Sequence, residues 1–326
     1  MKLVMGNEAV AIGAMKAGMD FYSGYPITPA SEIMHYLAKV KDFNFVHCED
    51  EIAAINMCIG ASLTGRKVMT ATSGPGFSLM QEAIGMGFMS EIPMVVVNTM
   101  RVGPSTGMPT LPAQGDISLA CNCSHGDTYP IIFYPASVEE CFSVTVDAFN
   151  CAEEAKQPVF VLMDAFISHM YEPFEVRDVN VVEREGKQLG SGIGHVTGLT
   201  SEEGTPKTKS PEIYKKWLDK VKSRRDEVVK KYNNYEYVDR GGRLIIAFGV
   251  VGRVVMDLED SIFRPTRLFP VLDELKEISK KYEEIVVVEM NDGQYAAILE
   301  RELLRRVKRV KVVGGDISLE DVKKQL

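Results

Sequence analysis

The stretch KVMTATSGPGFSLMQEA, residues 67–83, runs from a short apolar and β-branched segment through Ser73-Gly74-Pro75-Gly76 into apolar positions spaced three or four apart. The first part reads as a strand and the last as a helix, with no room between them for more than a tight turn. A strand that passes directly into a helix is the unit of a parallel α/β sheet. Two roles fit the turn. It is either a simple strand-to-helix corner, or a loop whose backbone N–H groups face a ligand at the sheet edge.

Outward from this stretch the same alternation recurs over residues 1–175. The strands expected are FYSGYP, FNFVHC, KVMTATS, PMVVVNT, IIFYPAS and PVFVLMD, and the helices ASEIMHYLAKV, EIAAINMCIGASLTG, FSLMQEAIGMGFMS and VEECFSVTVDAFNCAEEAK. In such sheets ligands bind beyond the carboxyl ends of the strands. Residues 176–240 lose the pattern to charge, Gly and Pro, and form a connector with one polar helix, PEIYKKWLDKVKSRRDEVVKKY. A smaller α/β unit follows over 241–326, with strands RLIIAFG, EEIVVVEM and VKVVGG. At fewer than ninety residues it is too short for a large independent active site.

The 326-residue chain is long enough for about two domains, each with its own core. Its net charge of −8 argues against nucleic acid or an anionic membrane as the main partner, although RELLRRVKRVK (301–311) is locally basic. No apolar run reaches the ~18 residues of a membrane span, and the N-terminus lacks a signal-peptide pattern, so a cytoplasmic location is expected. None of the six cysteines falls in a CxxC pair. The cluster Cys121, Cys123, His125 offers zinc-ligand types, but it lacks the usual spacing and a fourth partner, which favours a loop. GASLTGRK (60–67) misses the P-loop pattern at Arg66 and enters a strand instead of leaving one, and GSGIG (190–194) lacks the dinucleotide spacing.

Three further segments at strand ends carry polar chemistry. YPITPASE (25–32) places Thr28 between two prolines, either bonding within its own loop or held rigid for recognition. MRVGPSTGMPTLPAQGD (100–116) is expected to be a long loop with Arg101 at its root, which is either a structural ion-pair member or a bidentate clamp for a carboxylate. HCEDEIAAIN (47–56) stacks Glu49, Asp50 and Glu51 at a helix start. One acid suffices to meet the positive end of the helix dipole, so three leave a choice that capping alone does not make.

Taken together, GNEAVAIGAMKAG, GYPITPASE, CEDEIAAIN, TATSGPGFSLMQE and RVGPSTGMPTLPAQGDI resemble the α subunits of 2-oxoacid:ferredoxin oxidoreductases, most nearly those of the 2-oxoglutarate branch. HVTGLTSEEG (195–204) and VVVEMNDGQ (286–294) extend the likeness over most of the chain. The resemblance implies a thiamine diphosphate pyrimidine-type domain on a parallel sheet, followed by a smaller transketolase-C-terminal-like α/β domain. It implies an enzyme that uses thiamine diphosphate, coenzyme A and ferredoxin on a 2-oxoacid. A wider likeness to the pyrimidine domain of acetolactate-synthase-like enzymes singles out Glu51 as the catalytic glutamate, hydrogen-bonded to N1′ of the aminopyrimidine and exchanging a proton with it. A short polar residue would cap the helix but could not exchange that proton.

By the same resemblance Thr28 and Arg101 fall where the oxoacid carboxylate is recognised. Pro26, Gly74, Pro75 and Gly76 line the cofactor, and Ser105 and Thr106 lie on the loop that helps choose the substrate side chain. The chain has no GDG followed by Asn and no cysteine set for a [4Fe–4S] cluster. Magnesium, the diphosphate site and the cluster are therefore expected on a partner β subunit, in a complex that also includes γ and ferredoxin-like δ subunits. The other readings are a branched-chain 2-oxoacid enzyme, a non-catalytic α/β scaffold subunit and, last, a nicotinamide-dependent dehydrogenase.

Overall fold

The computed structural model describes residues 2–185, 198–202 and 205–326, so GSGIG and parts of HVTGLTSEEG lie outside the described residues. The first unit comprises β1 (Lys2–Met5), α1 (Gly6–Lys16), β2 (Phe21–Gly24), α2 (Ser31–Leu37), β3 (Asn44–His47), α3 (Glu51–Leu63), β4 (Val68–Thr72), α4 (Gly74–Leu79), α5 (Gln81–Met89), β5 (Met94–Val102), β6 (Met108–Pro112), α6 (Ile117–Cys121), β7 (Ile132–Phe133), α7 (Val138–Ala155), β8 (Pro158–Asp164), α8 (Ala165–His169) and β9 (Tyr171–Phe174). A two-residue-per-strand hairpin, β10 (Ser201–Glu202) and β11 (Thr205–Pro206), and the polar helix α9 (Pro211–Val228) come next. The second unit holds β12 (Tyr235–Val238), β13 (Leu244–Ile246), α10 (Gly249–Val255), β14 (Ser261–Pro265), β15 (Arg267–Phe269), α11 (Asp273–Ser279), β16 (Ile285–Glu289), α12 (Gln294–Leu303), β17 (Lys308–Lys311) and α13 (Leu319–Gln325).

Strands β7, β8, β5, β4, β2 and β3 lie side by side in that order, all parallel. Their apolar runs follow from burial on both faces. Val95 and Val97 of β5 and Val159 and Val161 of β8 pack with α1 and α7, while Val96, Phe160 and Leu162 pack with α3, α4 and α5. The second sheet runs β12-β14-β13-β16-β17, and its first strand is antiparallel.

The two units are stitched together. Strand β15 adds to the first sheet beside β7, antiparallel, and both hydrophobic clusters run through residues of both units instead of forming one core each. Arg264 of the second unit forks onto Glu140 of α7 at 2.8 and 2.7 Å. Asp164, at the end of β8, accepts from Tyr134 Oη and from the Val250 N–H at the start of α10, each at 3.0 Å.

Several elements differ from the sequence expectation. The helix anticipated at 77–90 starts earlier, at Gly74, and divides at Met80. Pro75 tolerates the early start because its missing N–H falls in the first turn, where no intrahelical partner exists. Residues 100–116 are not a long loop: β5 extends to Val102 and pairs antiparallel with β6, with Arg101 opposite Pro112. IIFYPAS shrinks to the two-residue β7. The basic stretch 301–311 is partly structural, since Arg305 donates to the carbonyls of Tyr282 at 3.0 Å and Glu283 at 2.7 Å. Among the described residues no helix is long and apolar enough to cross a membrane.

Candidate active site

The chain runs from β2 outward to β3 and then back across to β4 on the other side of β2. In open parallel sheets a reversal of this kind is where a ligand crevice forms, at the carboxyl ends of the two strands, here β2 and β4. YPITP leaves β2 there and SGPG leaves β4, with the extended end of β5 alongside.

The three acids at the start of α3 have separate roles. Glu49 is exposed. Asp50 is the N-cap, in extended conformation, and its carboxylate accepts from the Ala53 N–H at 2.7 Å. Glu51, the first helical residue, is only 5 % exposed. Burial pushes its carboxyl above the ordinary carboxylate range, with Asp50 adding to the effect and its own amide and Arg101 opposing it. No side chain among the described residues hydrogen-bonds to it.

Gly76 explains how the carboxyl fits. A Cβ at this position would lie 2.2 Å from Thr72 Oγ1 and 2.4 Å from Glu51 Oε1. The second glycine of SGPG is thus the gap that Glu51 occupies. Gly74 and Pro75 are half-buried in the turn before it.

Arg101 is 9 % exposed, and among the described residues it has no ion-pair partner, contrary to the structural-pair alternative. Its Nη1 donates to the Thr28 carbonyl at 2.7 Å, and its buried Nε has no partner. A buried guanidinium with open donors is costly unless an anion completes it. Thr28 meets Arg101 through its backbone, and its hydroxyl bonds to no described residue. The turn holding Pro26 and Thr28 is pinned by Asn7, whose Nδ2 donates to the Pro29 carbonyl at 2.8 Å and to Glu32 at 2.9 Å. Ser105 and Thr106 sit at the exposed tip of the β5–β6 hairpin. Gly107 closes this tip with φ +52°, and a Cβ on it would strike the Val102 carbonyl oxygen at 2.0 Å.

Two site residues escaped the sequence reading. Asn98, on β5, donates from Nδ2 to Asp116 Oδ2 at 2.9 Å, and its own Oδ1 is buried without a partner. Asp116 stands at the N-cap of α6, where an acid suggests a cap, yet its side chain makes no cap hydrogen bond. Its Oδ2 would lie 3.4 Å from a Cβ on Gly74. Burial raises its affinity for a proton, against the pull of Asn98 and Arg101. The signal in the sequence was its place at the end of the PAQGD segment, but an acid before a short helix does not reveal its distant partner.

Cys121 and Cys123 are buried thiols pushed up to about 12 and about 11 by desolvation, while His125 is exposed. Among the described residues no group of three or more His, Cys, Asp or Glu side chains is placed to hold a metal ion.

Residues 12–236 match the family described as pyruvate flavodoxin/ferredoxin oxidoreductase, thiamine diphosphate-binding. The chain is 40% identical over 334 residues to the 2-oxoglutarate synthase subunit KorA of Archaeoglobus fulgidus, covering 97% of this chain and 95% of the relative. It is 34% identical to the ketoisovalerate oxidoreductase subunit VorB of Methanothermobacter thermautotrophicus, covering 98% and 96%. A solved structure of 2-oxoglutarate:ferredoxin oxidoreductase from Magnetococcus marinus, with 2-oxoglutarate, coenzyme A and succinyl-CoA bound, superposes with a TM-score of 0.92 at 31% identity, over 99% of this chain and 65% of that one. A parallel sheet with its crevice at the β2/β4 reversal, and a likeness that runs over nearly the whole chain, lead to one assignment: the chain belongs to the thiamine diphosphate-binding 2-oxoacid:ferredoxin oxidoreductase family, as a subunit of the α type.

Proposed function

We propose that this chain is the α subunit of a 2-oxoglutarate:ferredoxin oxidoreductase, which converts 2-oxoglutarate, coenzyme A and two oxidised ferredoxins into succinyl-CoA, CO2, two reduced ferredoxins and a proton, or runs the reverse. The observation that carries the reading is a buried Glu51, its proton affinity raised by burial, packed against Gly76 and close enough to feel the charge of Arg101, a buried guanidinium with no ion-pair partner among the described residues.

The residues present fit thiamine diphosphate on two counts: among the described residues no other side chain hydrogen-bonds to the Glu51 carboxyl, and Gly76 puts no side chain of its own against it. When bound, this cofactor supplies the carbon nucleophile and electron sink that a 2-oxoacid needs in order to lose CO2. Glu51 would hold N1′ of the aminopyrimidine and exchange a proton there, a task its raised proton affinity suits. Pro26, Gly74, Pro75 and Gly76 would line the ring. Arg101, braced by the Thr28 carbonyl, would take the C1 carboxylate through its open N–H donors, with the Thr28 hydroxyl beside it. Ser105 and Thr106, on the hairpin tip, would bear on the far end of the substrate. Exchanging Arg101 for Lys keeps the charge but loses the planar fork, and KM for 2-oxoglutarate is expected to rise about 10- to 100-fold in steady-state assays.

The subunit naming of the relatives supports a multi-subunit enzyme. We assign the diphosphate site, magnesium and a [4Fe–4S] cluster to a partner β subunit, with γ and ferredoxin-like δ subunits in the complex and ferredoxin as acceptor. Exposed apolar side chains on the elements that carry the site, Tyr25, Ile52, Met57, Leu79 and Met108, are what a partner covering the crevice would bury. The isolated chain is expected to show no decarboxylation above background, and addition of the β subunit to restore it; turnover by the purified chain alone refutes the shared site.

The VorB relative favours one second reading, a branched-chain 2-oxoacid as substrate. Coenzyme A-dependent viologen reduction by the complete complex, measured with 2-oxoglutarate and 2-oxoisovalerate, separates the two by their kcat/KM.

A further inference from the structure

The second α/β unit supplies none of the residues named above for the proposed site, yet a hydrogen-bonded contact between the units leads back to it. Gln114 is fully buried between the units. Its Nε2 donates to the Phe248 carbonyl at 3.0 Å, and its Oε1 accepts from the Met290 N–H at 3.0 Å. Its backbone N–H donates to the Met290 carbonyl at 2.9 Å, and its carbonyl accepts from Asn291 Nδ2 at 2.6 Å. Asn291 Oδ1 in turn accepts from the N–H groups of Gly293 at 2.7 Å and Gln294 at 2.9 Å, which fixes the turn before α12. From that turn Gln294 donates to the Gly115 carbonyl at 2.6 Å and accepts from the Ser118 N–H at 2.9 Å. The segment Gln114–Ser118 is thereby gripped at both ends.

Both connections from the gripped segment lead to Arg101. Asp116, at its centre, accepts from Asn98, which precedes Arg101 by three residues on β5. Pro112, two residues before Gln114, is the strand partner opposite Arg101 in the β5–β6 pairing. The end of β5 is therefore held from one side by Asp116 and from the other by β6, and both depend on the same clamp.

We infer that Gln114 and Gln294 are positioning residues for Arg101: through the segment Gln114–Ser118 the second unit sets where the carboxylate-binding guanidinium lies. The inference rests on the reading of Arg101 as the substrate clamp. A clamp of this kind supports the guanidinium as an outer ring of hydrogen bonds supports a ligand-binding group, where loss of one partner commonly costs about 10- to 100-fold. Simple packing between the units would instead lower stability without selecting one substrate.

The test is made on the complete complex. Gln294 is half-buried and Ser118 exposed, so Gln294→Ala leaves its former partners within reach of water and the fold intact. Its KM for 2-oxoglutarate is expected to rise about tenfold, with kcat within about twofold and KM for coenzyme A unchanged. Gln294→Glu, which keeps the acceptor for the Ser118 N–H, is expected to recover part of the shift. An unchanged KM, or a uniform loss of activity together with a lower Tm, overturns the inference. Arg101→Lys separates the two levels. If Arg101→Lys leaves KM unchanged, the clamp reading fails; if it raises KM and Gln294→Ala does not, the positioning role alone fails.

Discussion

Glu51→Gln in the assembled complex is expected to lower turnover by about 10²- to 10⁴-fold, the range that a positioned acid–base group contributes, while subunit assembly stays intact. The substitution is nearly isosteric and preserves hydrogen bonding, so it removes only the ability to gain and lose a proton. Glu51→Asp, which retains the carboxyl but shortens it, should fall between. Steady-state kinetics on both variants, with KM for 2-oxoglutarate changing little, checks this. Unchanged turnover would favour a scaffold subunit.

The same carboxyl has a signed effect on stability. Burial holds its affinity for a proton above the ordinary range, so the folded state binds this proton more tightly than the unfolded chain does. Its contribution is fully present below the unfolded pKa, and stability is lost as pH rises through the folded value. Glu51→Gln has no such loss. Its Tm relative to the parent should therefore climb from acid pH to neutral pH, as thermal melts at several pH values would record.

Gly76→Ala is expected to be nearly as damaging, although it adds one methyl group and no charge. That methyl would stand 2.2 Å from Thr72 Oγ1 and 2.4 Å from Glu51 Oε1, well inside contact distance. The carboxyl must swing away or the helix start must shift, and displacement of a catalytic group by about 1 Å is worth about 10²-fold in rate. Overpacking should also cost about 1–3 kcal/mol of stability. Gly60→Ala is the control, because nothing lies within 4 Å of the added Cβ on α3. There the substitution should leave activity unchanged and stabilise the helix by up to about 1 kcal/mol. Equal activity in the two variants would show that Glu51 is not confined by Gly76.

Much of this molecule was legible in its sequence because much of it is local. Buried parallel strands must be apolar on both faces, so PMVVVNT and PVFVLMD announce themselves, and Ser-Gly-Pro-Gly marks the passage from strand to helix. Helix-start chemistry was also legible, although capping alone did not choose among Glu49, Asp50 and Glu51. The family resemblance picked Glu51, and the structure gives the choice a physical form. Asp50 takes the cap, and Glu51 is left buried against Gly76.

The reading failed where pairing joins distant residues. The segment 100–116 looked like a loop because Gly, Pro, Ser and Thr dominate it, yet β6 needs only backbone groups to pair with β5. Arg101 could be an ion-pair member or a ligand clamp until packing left it without an ion-pair partner among the described residues. Asp116 closed the segment unremarked, because nothing local points to Asn98, eighteen residues earlier, as its partner.

By itself the sequence determined the parallel α/β architecture, the direct passage from strand to helix at residues 72–74 and a carboxyl at position 51, because periodicity and motif are written over a few consecutive residues. Only the tertiary structure decided that this carboxyl is desolvated, that Arg101 is near enough to act on it while having no ion-pair partner among the described residues, and that a turn at Met290–Gln294 grips the segment Gln114–Ser118. Burial and charge balance are properties of what surrounds a group, and here the surroundings come from strand ends and a second unit far apart in the chain.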